Sequence, residues 1–255
     1  MKILSSLNQR DKAILVGLFL SKFDRQALDG FGFKGFNEAY NVLGYALDIN
    51  PNSIKNYRDE FDPYFPNTRQ GRRNRNIRDY CKEIMILAES LSFDDFYKYI
   101  NSFILNEYVD IKDLKPVHQI SKERKFVTNR LITGKAAEEY FTKKYQTINC
   151  FQNFKLIDTT NWGCGFDYKL FSESENFYIE VKGINESVGN ILMTEKEYNM
   201  ADNLQERYCL FVVSNFKERP VHQLFFNPLY HKDIIFTRKE QQILQISYIG
   251  NILKI

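Results

Sequence analysis

The chain has 255 residues, with 35 Lys and Arg against 32 Asp and Glu, and a formal net charge of +3. This length accommodates two domains of ordinary size, and 44% hydrophobic residues are enough for packed cores. The small net charge excludes binding of nucleic acid through a global electrostatic field, so such binding must depend on local basic clusters. No segment approaches the roughly 20 apolar residues that span a bilayer.

The cysteines and histidines exclude several kinds of site. They are scattered without the spacing of metal ligands: Cys81, Cys150, Cys164, Cys209, His118, His222 and His231. No zinc site and no Ser–His or Cys–His catalytic pair is therefore predicted. The amino terminus is too weakly apolar for a signal peptide. We expect a cytoplasmic protein with reduced cysteines and no membrane partner.

Residues 1–115 are predicted to form an all-α domain for DNA recognition. A helix over residues 36–47, a turn at 48–52 and a short polar helix from the N-cap candidate Ser53 have the layout of a helix-turn-helix. The side chains of the second helix that can pair with base edges or phosphates are Ser53, Lys55, Asn56 and Arg58. The alternative is a helical packing module whose second helix is an ordinary exposed one.

A basic segment follows the predicted recognition helix. Residues 68–78 hold five arginines and no acidic residue before Asp79. Arginines on such a glycine-containing segment suit phosphate contacts or a narrow minor groove, and we expect DNA contacts from Arg69, Arg72, Arg73 and Arg75. The alternative is a solvated charged surface. Helices over about 77–91 and 93–105 complete this domain.

A linker is predicted at 116–130, because this part of the chain contains a proline and a run of charges. The second domain, 131–255, opens with an amphipathic helix over 134–145 that turns Ala137 and Phe141 inward. A glycine turn within 161–167 then leads into a strand. For Trp162, packing beside this turn is favoured over contact with a base.

The segment from Phe177 to Gly183 has the β-branched and aromatic composition of a buried strand. It nevertheless carries Glu180 and Lys182, which are two residues apart and therefore point to the same face. Buried charge requires a compensating partner, and a divalent cation between Asp167 and Glu180, with Lys182 beside a water molecule, would supply one. The arrangement predicts a phosphodiester-cleaving site. The alternative is a salt bridge on an exposed sheet edge.

A capping box, Thr194 with Glu197, predicts a helix over 195–206, and we assign these two residues a capping role alone. An apolar strand over 208–214 follows, so a helix crosses between two buried strands and at least one parallel pair is expected. Short closing strands are predicted at 223–226, 234–236 and 244–248. The fold class is therefore α/β (mixed α+β), with a mixed central sheet flanked by helices.

Four blocks in this order resemble one branch of the PD-(D/E)XK, or restriction-endonuclease-like, nuclease superfamily. They are Gly134-x-x-Ala137-Glu138, Gly163-x-Gly165-x-Asp167, Ile179-Glu180-Val181-Lys182 and Leu192-x-Thr194-x-x-Glu197. The resemblance covers roughly residues 125–230, and the branch is best known as an uncharacterised domain of bacterial restriction and DNA-defence proteins. The chain departs from the superfamily signature in one position, since phenylalanine and not proline precedes Asp167.

The resemblance implies a role for each of these residues. Asp167 and Glu180, with the backbone carbonyl of Val181, would bind Mg²⁺, for which Mn²⁺ could substitute. Lys182 would orient or help deprotonate the attacking water. Glu138 would approach the metal directly or through water, or else it is a carboxylate of the helix surface. No nucleotide cofactor is expected, because the two glycines before Asp167 lack the third glycine of a phosphate-binding loop.

The expected function is that of a Mg²⁺-dependent DNA endonuclease of the restriction type, which reads a sequence or a modified base through its amino-terminal domain. The partner would be double-stranded DNA. One metal site cuts one strand, so a double-strand break needs two copies or two successive events, and for a palindromic site we expect a homodimer, at least on DNA. A repair or recombination nuclease, a non-cutting DNA-binding regulator, and a subunit of a larger defence complex remain as alternatives.

Overall fold

The computed structural model describes residues 7–66, 76–105 and 122–240, with side chains from residue 128 onward in the last range. Seven α-helices lie in these ranges: α1 (Gln9–Phe31), α2 (Phe36–Ala46), α3 (Pro51–Phe61), α4 (Asp79–Ala88), α5 (Phe93–Ile104), α6 (Lys122–Lys144) and α7 (Glu195–Leu204). Five strands lie in the last range: β1 (Lys155–Asp158), β2 (Tyr168–Phe171), β3 (Asn176–Gly183), β4 (Tyr208–Ser214) and β5 (Val221–Phe226).

The amino-terminal part is helical, as predicted. Helix α1 is broken at Asp24, whose φ of 43° is not helical, and it crosses α3 so closely that a Cβ on Gly17 would lie 2.6 Å from Tyr57 Cβ. The helix-turn-helix prediction places α2 correctly but starts α3 too late. The N-cap is Asn50 and not Ser53, because the Asn50 side chain accepts a hydrogen bond from the backbone N–H of Asn52. Pro51 then occupies the first helical position, where proline is favoured.

The carboxy-terminal part is a five-stranded sheet in the order β1-β2-β3-β4-β5. Strands β3 and β4 are parallel, and the other neighbouring pairs are antiparallel. The parallel pair is connected through α7, which begins with the predicted capping box of Thr194 and Glu197. A parallel connection needs such a crossover, so the prediction of a mixed sheet flanked by helices is confirmed.

The two faces of β3 have different neighbours. On one face Gly183 lies against α6, since a Cβ at this position would be 2.8 Å from Thr133 O and 3.1 Å from Ala137 Cβ. Side chains alternate along a strand, so Glu180 and Lys182 point to the opposite face. Ala137 and Phe141 of α6 are fully buried, as the amphipathic pattern predicted.

The helical part and the sheet share one hydrophobic core. Asn41 of α2 donates hydrogen bonds to the carbonyls of Phe216 (2.8 Å) and Glu218 (2.9 Å) in the turn after β4. Tyr45 packs edge-on against Tyr140 of α6. Helix α6 begins at Lys122, inside the predicted linker 116–130, and residues 106–121 lie outside the described ranges. The division at that linker stays a prediction.

The closing strands are confirmed in part. Strand β5 contains the predicted 223–226, whereas residues 234–236 form no strand and that prediction is wrong. The third predicted closing strand, 244–248, lies outside the described residues. Among the helices that are described, none has a hydrophobic stretch of the length needed to cross a bilayer.

Candidate active site

The predicted site residues meet where β2 begins and β3 runs past it. Strand β2 pairs with β3 only up to Tyr168, which lies opposite Ile179. Asp167, one residue earlier, donates its backbone N–H to Ile179 O at 2.9 Å and accepts the N–H of Val181 with its own Oδ2 at 2.8 Å. The Asp167 side chain therefore takes the place of a neighbouring strand beside Glu180 and Lys182.

This arrangement also orients the backbone carbonyl of Val181. The N–H and C=O of one strand residue point to the same side of the strand. Because the Val181 N–H points to Asp167, its carbonyl points to the same edge, which β2 no longer covers. The predicted backbone ligand thus lies on the side of β3 that carries the Asp167 carboxylate.

Lys182 lies between two carboxylates. Its Nζ donates to Glu180 Oε1 at 2.5 Å and to Glu197 Oε2 at 2.9 Å. Glu180 is only 3% exposed, so this charge is compensated inside the protein and not by water. The alternative of a salt bridge on an exposed sheet edge does not fit a carboxylate buried to this degree.

Glu197 is the functional candidate that the sequence reasoning missed. It was assigned a capping role alone, and it does accept the backbone N–H of Thr194 with Oε2 at 2.9 Å. The same oxygen binds Lys182 Nζ, because the capped end of α7 lies over the face of β3 that carries Lys182. The order of the four motif blocks contained this signal, since the block with Glu197 directly follows the strand block.

Glu138 approaches the site from the other face. It is half-buried on α6, and the nearby Lys135 ammonium opposes the effect of burial on its pKa. Burial, together with the negative charges of Asp167 and Asp158, raises the pKa of Glu138 to about 7. Asp158 ends β1 opposite Tyr168 and is a second acidic residue that the sequence reasoning missed, because the four-residue strand β1 was not predicted.

The charges of this cluster are strongly perturbed. Burial and the neighbouring Asp167 carboxylate raise the pKa of Glu180 to about 8, against the opposing effect of Lys182. Burial also raises the pKa of Asp167. For Lys182, burial acts to lower the pKa, but the Glu180 and Glu197 carboxylates outweigh it and the net pKa is raised. Lys182 is therefore held as an ammonium group.

These residues fit a divalent cation with few protein ligands. Within the described ranges, no three Asp, Glu, His or Cys side chains are grouped so as to hold a metal ion by themselves. Mg²⁺, however, retains several waters and uses only one or two carboxylates, which Asp167 and Glu180 can supply together with the Val181 carbonyl. Burial is the main cause of the raised pKa values of both carboxyls, and a bound cation would favour their charged forms.

The predicted DNA-contacting residues of α3 separate into two groups. Lys55 and Asn56 are exposed, and Ser53 is half-buried. Arg58 is 3% exposed and points into the helical part, where it donates to Tyr40 Oη (2.6 Å) and Asp24 Oδ1 (3.0 Å). The prediction for Arg58 is wrong, because these internal hydrogen bonds occupy a side chain that DNA cannot reach.

The basic segment after α3 cannot be compared with its prediction. Arg69, Arg72, Arg73 and Arg75 lie outside the described residues, so their DNA contacts stay a prediction.

Trp162 was expected to pack beside the glycine turn between β1 and β2. Its side chain is 70% exposed, so this expectation is wrong.

Comparison with known proteins gives one family. Residues 135–226 match the family described as Protein NO VEIN, C-terminal. No curated protein and no solved structure matches the chain. The matched range contains Glu138, Asp167, Glu180, Lys182 and Glu197. This part of the chain is thus similar to that family, over the same stretch in which the sequence motifs resemble a nuclease superfamily.

Proposed function

We propose that the protein is a metal-dependent DNA endonuclease, most simply of the restriction type. The proposal depends on one observation above all. Asp167, Glu180 and Lys182 converge at the edge of β3 where β2 begins, and the half-buried Glu138 carboxylate approaches from α6. Two carboxylates and an ammonium group around one position suit hydrolysis of a phosphodiester.

Each residue has a role in this reaction. The carboxylates of Asp167 and Glu180 and the carbonyl of Val181 would hold Mg²⁺ or Mn²⁺. When bound, the cation would lower the pKa of a water molecule and polarise a phosphoryl oxygen. The Lys182 ammonium would orient that water and offset charge that develops on the phosphate. The half-buried Glu138 carboxyl, whose pKa is raised by burial and by Asp167, would approach the cation directly or through water.

Recognition of DNA is assigned to the amino-terminal part. The exposed Lys55 and Asn56 of α3 and the arginines of 68–78 are suitable for base and phosphate contacts. One such site cuts one strand, so a double-strand break needs two copies or two successive cuts, and we propose a homodimer on DNA.

The decisive experiment is incubation of the full chain with unmethylated, adenine-methylated and cytosine-methylated plasmid, with Mg²⁺ or with EDTA. We expect discrete fragments that need Mg²⁺ and disappear with Lys182→Ala. A matched control is Lys169→Ala, which removes a lysine from the neighbouring strand β2. Asp167→Ala should likewise abolish cleavage while DNA binding stays near that of the wild type.

Other results would identify a different function. Salt-sensitive DNA binding without cleavage of any substrate would replace the nuclease with a non-cutting DNA-binding regulator. Weak, salt-insensitive DNA binding would favour a subunit of a defence complex. Cleavage of branched or flapped DNA without sequence preference would indicate a repair or recombination nuclease.

A further inference from the structure

The loop between β1 and β2 carries the single tryptophan of the chain. Trp162 is 70% exposed, although tryptophan is among the side chains that gain most from burial. An isolated exposed apolar residue is common on proteins. The case here depends on two additional facts, the rigidity of the loop and its position.

The loop is held firmly on several sides. Thr159 Oγ1 donates to the carbonyls of Phe166 (3.1 Å) and Asp167 (3.0 Å), and the buried Tyr208 hydroxyl donates to Gly165 O at 3.1 Å. Gly165 has φ +91° and lies so close to α7 that a Cβ would be 3.1 Å from Lys196 O. The exposed indole is therefore carried by ordered backbone, which lowers the entropy cost of using it as a contact.

The base of this loop is the candidate active site itself. Thr159 donates its backbone N–H to Asp167 O at 2.9 Å, and Trp162 donates its own to Thr159 O at 2.9 Å. Since one residue connects these two hydrogen bonds, the Trp162 backbone lies within about 10 Å of the Asp167 backbone. One strand of DNA advances roughly 3.4 Å per nucleotide along the duplex axis, so that distance spans at most about three nucleotides.

We propose that Trp162 stacks on a nucleobase of the DNA substrate, within about three nucleotides of the phosphate that is cleaved. This inference depends on the proposed function for its ligand. Aromatic side chains bind bases through stacking that tolerates any sequence, because every base has a π face. The base can come from a single-stranded or distorted region, or from a duplex step that the indole opens by intercalation.

The sole tryptophan makes the test direct. Fluorescence excited at the long-wavelength edge of indole absorption, where tyrosine does not absorb, reports on Trp162 alone, and EDTA prevents cleavage during the titration. The probes are a single-stranded oligonucleotide and a blunt duplex of the same sequence, both labelled with fluorescein so that anisotropy measures binding independently. The same titrations are repeated with the Lys182→Ala variant in Mg²⁺, to include the cation.

We expect saturable quenching of the indole emission that follows the anisotropy curve. Trp162→Ala should weaken binding by about 10-fold, and Trp162→Phe should retain most of the affinity because it keeps an aromatic face. Tyr230→Ala is the matched control, because Tyr230 is an aromatic residue with 72% exposure on another segment; it should bind as the wild type. Stronger quenching by the single strand would identify an unstacked base, and equal quenching by the duplex would identify intercalation.

The inference and the proposed function can fail separately. Cleavage of DNA with unchanged indole emission and unchanged affinity of Trp162→Ala would overturn the stacking role and leave the nuclease intact. Quenching of the indole emission, together with the expected loss of DNA affinity in Trp162→Ala, would support stacking. If the wild type then cleaved no DNA, the proposed nuclease function would be overturned. No binding of either oligonucleotide by anisotropy would overturn both.

Discussion

Glu197 binds the ammonium of Lys182 with the same carboxylate oxygen that caps helix α7. Oε2 lies 2.9 Å from Lys182 Nζ and 2.9 Å from the backbone N of Thr194. The start of the crossover helix is thus connected directly to the candidate catalytic strand. We infer that Glu197 is a positioning residue, which fixes the Lys182 side chain and keeps it charged.

Replacing Glu197 separates this role from capping. Glu197→Ala should lower the cleavage rate on the order of 10-fold to 100-fold, because groups that orient catalytic residues commonly contribute this much. It should also lower the pKa of Lys182, since one of the two carboxylates that raise that pKa is removed. The measurement is the single-turnover cleavage rate as a function of pH.

The control for this variant is Thr194→Ala, which removes the hydrogen bond that the Glu197 N–H donates to Thr194 Oγ1 and leaves the carboxylate in place. It should cost about 1 kcal/mol of stability with little change in the pH profile of cleavage. If both variants lost activity only in proportion to stability, Glu197 would have a capping role alone.

Metal affinity should depend on pH in a defined direction. The pKa of Glu180 is raised to about 8, so below that pH a cation must displace a proton from this carboxyl. Affinity for Mg²⁺ or Mn²⁺ should therefore rise from pH 6 to pH 8, by up to about tenfold per pH unit, and level off at higher pH. Calorimetry in buffers of different ionisation enthalpy measures both the affinity and the protons released.

The Glu180→Gln variant is compared with the wild type in the same measurement of metal affinity against pH. It should weaken metal binding at every pH and flatten the dependence between pH 6 and pH 8, because the titrating ligand is gone. Equal affinity of the wild type at pH 6 and pH 9, with no proton release, would contradict the assignment of Glu180 as a ligand.

Arg58 should act on stability and not on DNA. Its guanidinium donates to Tyr40 and Asp24 inside the helical part, and removing one partner of such a buried set leaves polar groups unpaired. Arg58→Ala should lower the free energy of unfolding by about 3 kcal/mol, as measured by urea denaturation. Lys55→Ala, a change at an exposed position of the same helix, should shift stability by less than about 0.5 kcal/mol but weaken DNA binding.

The opposite pattern would restore Arg58 as a DNA-binding residue. A stable Arg58→Ala protein with weak DNA affinity, next to a Lys55→Ala protein with normal affinity, would require that the Arg58 side chain leave its internal hydrogen bonds on binding.

The basic segment should determine the salt dependence of binding. Replacing Arg72, Arg73 and Arg75 together with alanine should weaken DNA affinity and reduce the slope of log K against log salt by about 3, nearly one unit for each phosphate that is no longer neutralised. Fluorescence anisotropy at salt concentrations from about 50 to about 200 mM measures this salt dependence, because DNA affinity changes strongly over that range. Wild-type affinity and slope in the triple variant would exclude the segment from the DNA interface.

Local sequence patterns predicted most of the sheet that holds the site. The apolar run of β4, the mixed composition of β3 and the capping box of α7 each depend on neighbours within a few residues, and all three are present. The order Asp167, Glu180, Lys182 likewise predicted that these three residues lie close together, as they do. Helix α1 was not predicted, because its continuous apolar stretch from Ala13 to Leu20 lacks helical periodicity.

Interactions between distant segments decided the surroundings of individual side chains, which local patterns did not predict. Ile54, Arg58 and Phe61 share one face of α3, and only the packing of α1 and α2 against that face turns Arg58 inward. Trp162 resembles a packing residue in the sequence, yet the turn that carries it directs its side chain into solvent. The second role of Glu197 depends on where α7 crosses β3. Local patterns determine helices, strands and caps because they act over short distances, whereas the surroundings of each side chain depend on how those elements pack.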